Sequence, residues 1–88
     1  MQRPKINKLY FFVRVVDNRI EHVEFIRHHD GTAIYHDDSA SHVTDGPSVE
    51  WKLVTSWLEK NGYIESSDAK SKGLIPENWK PEKVILSH

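Results

Sequence analysis

Three segments in the first half of the chain carry the pattern of β-strands. Lys8–Val16 is rich in aromatic and β-branched residues, which suit a pleated surface. It places apolar side chains on both faces, and this predicts a strand that is central or covered on both sides. Two further runs, Ile20–His28 and Thr32 to His36 or Asp37, follow after short polar breaks. Sequential strands joined by short turns predict a three-stranded antiparallel meander.

The two turns between these runs fix the register of the strands. For Asp17–Arg19 we predict a three-residue turn that pairs Val16 with Ile20, because this register collects the apolar side chains of both strands on one face. The second turn contains Asp30-Gly31, a dipeptide typical of a two-residue type I′ hairpin turn.

One helix follows the strands. Pro47 suits the first helical position, and apolar residues then recur at helical spacing as far as Leu58. Asn61-Gly62 predicts the end of the helix, with Gly62 in the left-handed conformation and Tyr63 close to Leu58. The predicted core combines one face of the meander with this helix: Leu9, Phe11, Val13, Val15, Val23, Phe25, Ile34, Val49, Leu53, Val54, Trp57, Leu58 and Ile64.

The remainder of the chain is predicted to be less regular. Residues 65–73 are rich in Ser, Lys and Asp and read as a loop, and Lys83–Leu86 is predicted to add a short last strand. The expected fold class is therefore α+β, a three-stranded meander packed on one helix. We expect one small domain over residues 1–88, with the core in residues 8–64 and a loop and tail in residues 65–88.

Composition excludes several classes of chemistry. The chain has 88 residues, a formal net charge of -1 and no cysteine, so disulfides, thiol nucleophiles and cysteine zinc sites are ruled out. A basic footprint over the whole chain is missing. The first residues do not resemble a secretory signal, and the longest apolar stretch, Leu9–Val13, is too short to cross a bilayer. A cytoplasmic location without membrane contact is expected.

Histidines and acids cluster around the second turn and the third strand. Imidazole and carboxylate groups are ligands for zinc and other divalent metals, which makes His28, His29, His36 and His42 candidate metal ligands. Their spacing matches no named motif. The alternative interpretation is a polar turn and strand end at a sheet edge.

Aromatic and basic side chains on the predicted strands suggest a second hypothesis. Tyr10, Phe12, Arg14 and Arg27 would form a stacking platform for nucleic acid if they shared an open sheet face. The alternative is that these rings pack beneath the carboxy-terminal tail.

Two tryptophans and a terminal apolar segment suggest a protein partner. Trp51, Trp79, Val84, Ile85 and Leu86 are the candidate contacts, since Trp is enriched in interface hot spots and a terminal strand can pair across a dimer. Folding of that segment onto its own sheet is the alternative. Neither a catalytic constellation nor a cofactor motif is found, so the sequence favours a non-catalytic protein-binding or regulatory module, with nucleic-acid binding and metal binding as alternatives.

Overall fold

The computed structural model describes residues 3–37, 48–82 and 84. Five strands form one antiparallel sheet in the order β4-β3-β2-β1-β5. The strands are Leu9–Val16 (β1), Arg19–Arg27 (β2), Thr32–Asp37 (β3), Val49–Glu50 (β4) and Ile64–Glu65 (β5), and the helices are Trp51–Lys60 (α1) and Ser66–Ser71 (α2). The α+β class is confirmed. The predicted meander forms the middle of a wider sheet, because β4 and β5 add a strand at each edge.

Helical segments cover both faces of the sheet. On one face, α1 packs Val54 and Leu58 against Phe12, Val23 and Phe25. The opposite face carries α2 and the chain that follows it. There the buried residues are Val13, Ala69 and Ile75, with Ile20, Ile64 and Trp79 packed around them. Apolar groups on both faces of β1 are thereby explained, and the predicted cover on both sides is confirmed.

The predicted lengths of both turns are wrong by one residue. The first turn is shorter than predicted and the second is longer. The first turn has two residues, so Val16 pairs with Arg19 rather than Ile20. Asp17 and Asn18 both adopt positive φ, at 51° and 63°, which is the type I′ geometry that matches the twist of the strands. The second turn has three residues instead of two, because the His28 amide donates to the Thr32 carbonyl over 2.7 Å.

The shifted register exchanges the two faces of β1 relative to β2. Phe12, not Phe11, lies opposite Val23, and Phe11 lies opposite Glu24. Since side chains alternate along a strand, a slip of one residue moves every side chain to the other face. The helix α1 therefore packs against Phe12, which the sequence analysis had placed outside the core.

The predicted core is correct in part. Val13, Val23, Phe25, Val54 and Leu58 are buried, as expected. Five more of the predicted residues are half-buried: Leu9, Phe11, Ile34, Val49 and Ile64. Three are exposed, namely Val15, Leu53 and Trp57. The buried hydrophobic residues that the prediction missed are Phe12, Ile26, Ala33, Tyr63, Ala69 and Ile75.

The end of α1 is predicted well and its start is not. The Gly62 amide donates to the Glu59 carbonyl and the Tyr63 amide to the Leu58 carbonyl, at 3.1 and 2.9 Å, with Gly62 at φ 82°. This is the predicted left-handed cap. The helix begins at Trp51 because Val49–Glu50 first pairs with β3 as strand β4. Pro47 lies outside the described residues.

The segment predicted as a loop over residues 65–73 contains the helix α2. Its first turn is capped by Glu65, whose carboxylate accepts a 2.9 Å hydrogen bond from the Ser67 amide. Polar composition hid this helix, since it buries mainly Ala69 against the sheet. Of the predicted last strand Lys83–Leu86 only Val84 is described, and it lies in no strand. None of the helices among the described residues is long and apolar enough to cross a membrane.

Candidate functional site

An open cleft of about 790 Å³ lies where three parts of the chain meet. These parts are the amino-terminal segment, the β2–β3 turn and the first turn of α1. We call it the Arg27–Trp51 cleft. Its described lining residues are Arg3, Arg27, His29, Asp30, Gly31, Thr32, Glu50, Trp51 and Lys52. Its volume is within the range of small-ligand sites in proteins.

Backbone hydrogen bonds hold the three parts together. The Asn7 amide donates to the Arg27 carbonyl over 2.8 Å, next to a parallel bridge between Ile6 and Arg27. These contacts run the amino-terminal segment along the end of β2. On the other side, the Trp51 amide donates to the Gly31 carbonyl over 3.1 Å. The start of α1 is thereby fixed to the β2–β3 turn.

Arg27 is the most unusual side chain of this cleft. Only 7% of the residue is exposed, although it carries a full charge. Its Nη1 donates to the Pro4 carbonyl over 2.8 Å, and the guanidinium carbon lies 4.5 Å from the centre of the Trp51 ring. The buried Nε has no acceptor. Among the described residues, no carboxylate lies within ion-pair distance of this guanidinium.

A buried charge without a counter-charge is costly, because desolvation of an ion is offset only by close partners of opposite sign. Stacking on Trp51 and one carbonyl stabilise the Arg27 cation in part. A bound anion would supply the missing counter-charge. Among the described residues, Arg27 is thus a buried cation with one carbonyl and one aromatic ring as its partners.

The first turn of α1 adds to the positive potential of the cleft. The side chain of the N-cap residue Glu50 accepts no hydrogen bond from the helix. Amide N–H groups at a helix start carry partial positive charge and bind anions when no side chain caps them. Lys52 lies in the same turn, with its ammonium 5.8 Å from the centre of the Trp51 ring.

The cleft also has two carboxylates, and one of them is already engaged. Asp30 accepts hydrogen bonds from the Thr32 hydroxyl and the Thr32 amide, at 2.6 and 3.0 Å. These bonds hold the pKa of the Asp30 carboxyl below its ordinary value of 3.8. The cleft therefore has two carboxylates, Asp30 and Glu50, and three cations. The cations are Arg3, Arg27 and Lys52. These side chains can attract a small anionic group by charge, together with the positive end of the α1 dipole, while the Trp51 amide is already bonded to the Gly31 carbonyl.

The three candidate metal ligands that the structure describes have different surroundings. His28 is half-buried before the β2–β3 turn, His29 lines the Arg27–Trp51 cleft, and His36 is buried on the α2 side of the sheet. His42 lies outside the described residues. Within residues 3–37, 48–82 and 84, no three His, Cys, Asp or Glu side chains are grouped closely enough to hold a metal ion.

His36 belongs instead to a buried polar cluster on the sheet. It pairs across the strands with Glu24, which is fully buried and whose Oε2 lies 2.9 Å from the His22 Nε2. The rings of Phe11 and Trp79 pack edge-on around His22, at 6.2 Å or less between ring centres. Hydrogen bonding within the cluster accounts for a carboxylate in the core. Its three polar members, His22, Glu24 and His36, are at most 5% exposed.

The four candidate nucleic-acid residues do not share an open face. Phe12 is 2% exposed beneath α1 and offers no ring face to a base. Tyr10 is half-buried and packs edge-on against Phe25. Arg14 donates to the Glu21 carboxylate over 2.8 Å, a bond that raises the pKa of Arg14, and it stacks over Tyr63. Of the four, only Arg27 lines the cleft.

The three candidate partner-binding residues that the structure describes also lie in different surroundings. Trp51 lines the cleft, Trp79 is half-buried beside Phe11 and His22, and Val84 is 48% exposed. Ile85 and Leu86 lie outside the described residues. The structure thus joins one residue from each of three hypotheses, Trp51, Arg27 and His29, in a single cleft.

Sequence reasoning missed the other cations of the cleft, Arg3 and Lys52. Arg3 carries no signal of its own, because its place depends on the pairing of Ile6 with Arg27. Lys52 was missed because the helix was predicted to begin at Pro47, whereas α1 begins at Trp51 and places Lys52 in its first turn. A usable signal was available at Arg27, which is in phase with the buried Val23 and Phe25 on β2. A cation that alternates onto the buried face of a strand needs a partner of opposite charge.

Comparisons with known proteins give no relative from which a role could be inferred: no protein-family model, curated protein or solved structure matches the chain.

Proposed function

We propose that the protein is a non-catalytic binding module that recognises an anionic group, such as a phosphoryl or carboxylate group, in the Arg27–Trp51 cleft. The observation that carries this proposal is the buried guanidinium of Arg27, which has no carboxylate within ion-pair distance among the described residues. A ligand anion in the cleft would supply a counter-charge to this guanidinium.

Two features of the cleft support the same ligand chemistry. The helix start is uncapped by the Glu50 side chain, and its amides favour negative charge. Arg27 is also held in position before any ligand arrives, by Pro4 on one side and the Trp51 ring on the other. Preorganised donors lose little conformational entropy on binding, which favours affinity.

The test is thermal unfolding of the wild-type protein in increasing phosphate, with ionic strength kept constant by chloride. A ligand that binds only the folded state raises the unfolding midpoint in proportion to the logarithm of its concentration once the site is saturated. For a small anion we expect a dissociation constant on the order of 1 mM, equivalent to about 4 kcal/mol.

A matched pair of variants separates site binding from general ion effects. Lys52→Gln removes a cation of the cleft, whereas Lys60→Gln removes one at the other end of the same helix. We expect the phosphate-dependent rise to shrink in Lys52→Gln and to persist in Lys60→Gln. Equal rises in both variants, or no rise in the wild type, would contradict the proposal.

A further inference from the structure

A second surface adjoins the Arg27–Trp51 cleft on the flank of α1. Here Tyr35, Val49, Leu53, Val54 and Trp57 line a groove of about 210 Å³. We call it the Leu53–Trp57 groove. It is larger than a cavity of roughly 150 Å³ that can hold benzene in a protein core. The groove can therefore take one large apolar side chain.

The groove presents two apolar side chains that are open to solvent, and one of them, Trp57, is held by contacts with other rings. Leu53 is 63% exposed and Trp57 is 43% exposed, one helical turn apart. The Trp57 ring stacks on Tyr63 with 6.0 Å between ring centres and lies 6.4 Å from the Tyr35 ring. An exposed Trp that is already immobilised loses little entropy on binding and is a common interface anchor.

Neighbouring residues at the start of α1 line the cleft and the groove in turn. Glu50, Trp51 and Lys52 line the cleft, and their neighbours Val49 and Leu53 line the groove. Lys52 lines the cleft and Leu53 lines the groove, and as consecutive residues their Cα atoms are about 3.8 Å apart, so the two linings meet along the chain. An extended peptide covers about 3.3 Å per residue, so side chains two or three residues apart, about 7 to 10 Å, can reach two adjacent pockets.

We propose that the cleft and the groove form one bipartite surface for an extended peptide of a partner protein. The peptide carries an anionic side chain, bound in the cleft, and a large apolar side chain two or three residues away, bound in the groove. This inference rests on the proposed anion binding and adds the nature of the partner.

The distribution of charge favours a peptide over a nucleic acid. The cleft is lined by three cations and two carboxylates, Asp30 and Glu50, whereas every described residue that lines the groove is uncharged. A nucleic acid carries a phosphate on every nucleotide and binds where cations follow its backbone. A chain with one anionic group and one apolar group is complementary to the surface seen here.

The test uses four labelled synthetic peptides and fluorescence anisotropy. The first has phosphoserine and leucine separated by two alanines. In the second alanine replaces the leucine, in the third serine replaces the phosphoserine, and in the fourth glutamate replaces it. We expect the first peptide to bind at least tenfold more tightly than the second and the third, since burial of a leucine side chain and a charge pair each contribute on that scale. The fourth peptide distinguishes a carboxylate ligand from a phosphoryl ligand.

Two protein variants test whether the tighter binding of the first peptide depends on the groove. Leu53→Ala should abolish the tenfold advantage of the first peptide over the second and leave the affinity of the second unchanged. Val15→Ala, which alters an exposed apolar residue elsewhere on the sheet, should change neither affinity.

Three outcomes would overturn the proposal. They differ in whether the proposed anion site is retained. Equal affinity for the first two peptides, with inorganic phosphate still bound, would remove the bipartite surface and retain the anion site. Absence of phosphate binding would remove both. Tighter binding of a single-stranded oligonucleotide than of the first peptide, lost in Lys52→Gln, would replace the peptide by a nucleic acid.

Discussion

Phe11 and Phe12 are neighbours in β1 with different environments. Phe12 lies between the sheet and α1, is 2% exposed and meets Phe25 edge to face at 5.8 Å. Phe11 is half-buried on the other face beside His22. Removal of a ring from a packed core loses both its transfer free energy and its contacts, because the surroundings collapse only in part.

The two rings give a direct test of the register. We expect Phe12→Ala to lower the free energy of unfolding by about 3–5 kcal/mol and Phe11→Ala by about 1–2 kcal/mol. Urea denaturation of the two variants measures both values. A larger loss for Phe11→Ala would support the register with a three-residue first turn.

The pKa of Asp30, at the edge of the cleft, depends on the hydrogen bonds that its carboxylate accepts from Thr32. Its folded pKa is depressed by the bonds from Thr32, so the associated stability is present above the ordinary value of 3.8 and is lost as pH falls through the lower folded pKa. We expect the pKa of Asp30, followed by NMR of its carboxyl carbon, to rise towards 3.8 in Thr32→Val. Thr55→Val, which removes a hydroxyl on α1, is the control. An unchanged Asp30 pKa in Thr32→Val would contradict this account.

At the scale of elements, turn chemistry decides how the strands pair. Asp17 and Asn18 adopt the two positive φ angles of a type I′ turn, a conformation that Asn and Asp accept more readily than other residues with a side chain. This register places Glu24 beside Phe11. The hydrogen bond of Glu24 with His22 makes that position tolerable.

The same turn predicts a stabilising substitution. Asn18→Gly should raise the free energy of unfolding by a few tenths to about 1 kcal/mol, because glycine adopts positive φ without steric cost and this gain exceeds its added entropy in the unfolded chain. Arg19→Gly, in the adjacent strand position, should lower it. Thermal unfolding of both variants is the measurement, and a destabilised Asn18→Gly would contradict the turn geometry.

For the whole molecule, the sequence was informative where local chemistry decides the structure. The fold class, three strands and the end of α1 at Gly62 follow from side-chain alternation and a glycine cap. The register of β1 and β2 does not, because polar Glu24 and His22 are buried as a pair that an apolar pattern cannot anticipate. The cleft was the least predictable feature, since it joins Arg3, Arg27 and Lys52 from distant parts of the chain.

The proposed function depends on anion binding by Arg27. The most direct measurement is a ¹⁵N NMR titration with inorganic phosphate at constant pH and ionic strength, which follows the Arg27 Nε–H and the Trp51 indole N–H. We predict that both signals shift and saturate together with one dissociation constant, and that the constant rises in Lys52→Gln. Signals that do not move, or that drift linearly without saturation, would contradict it.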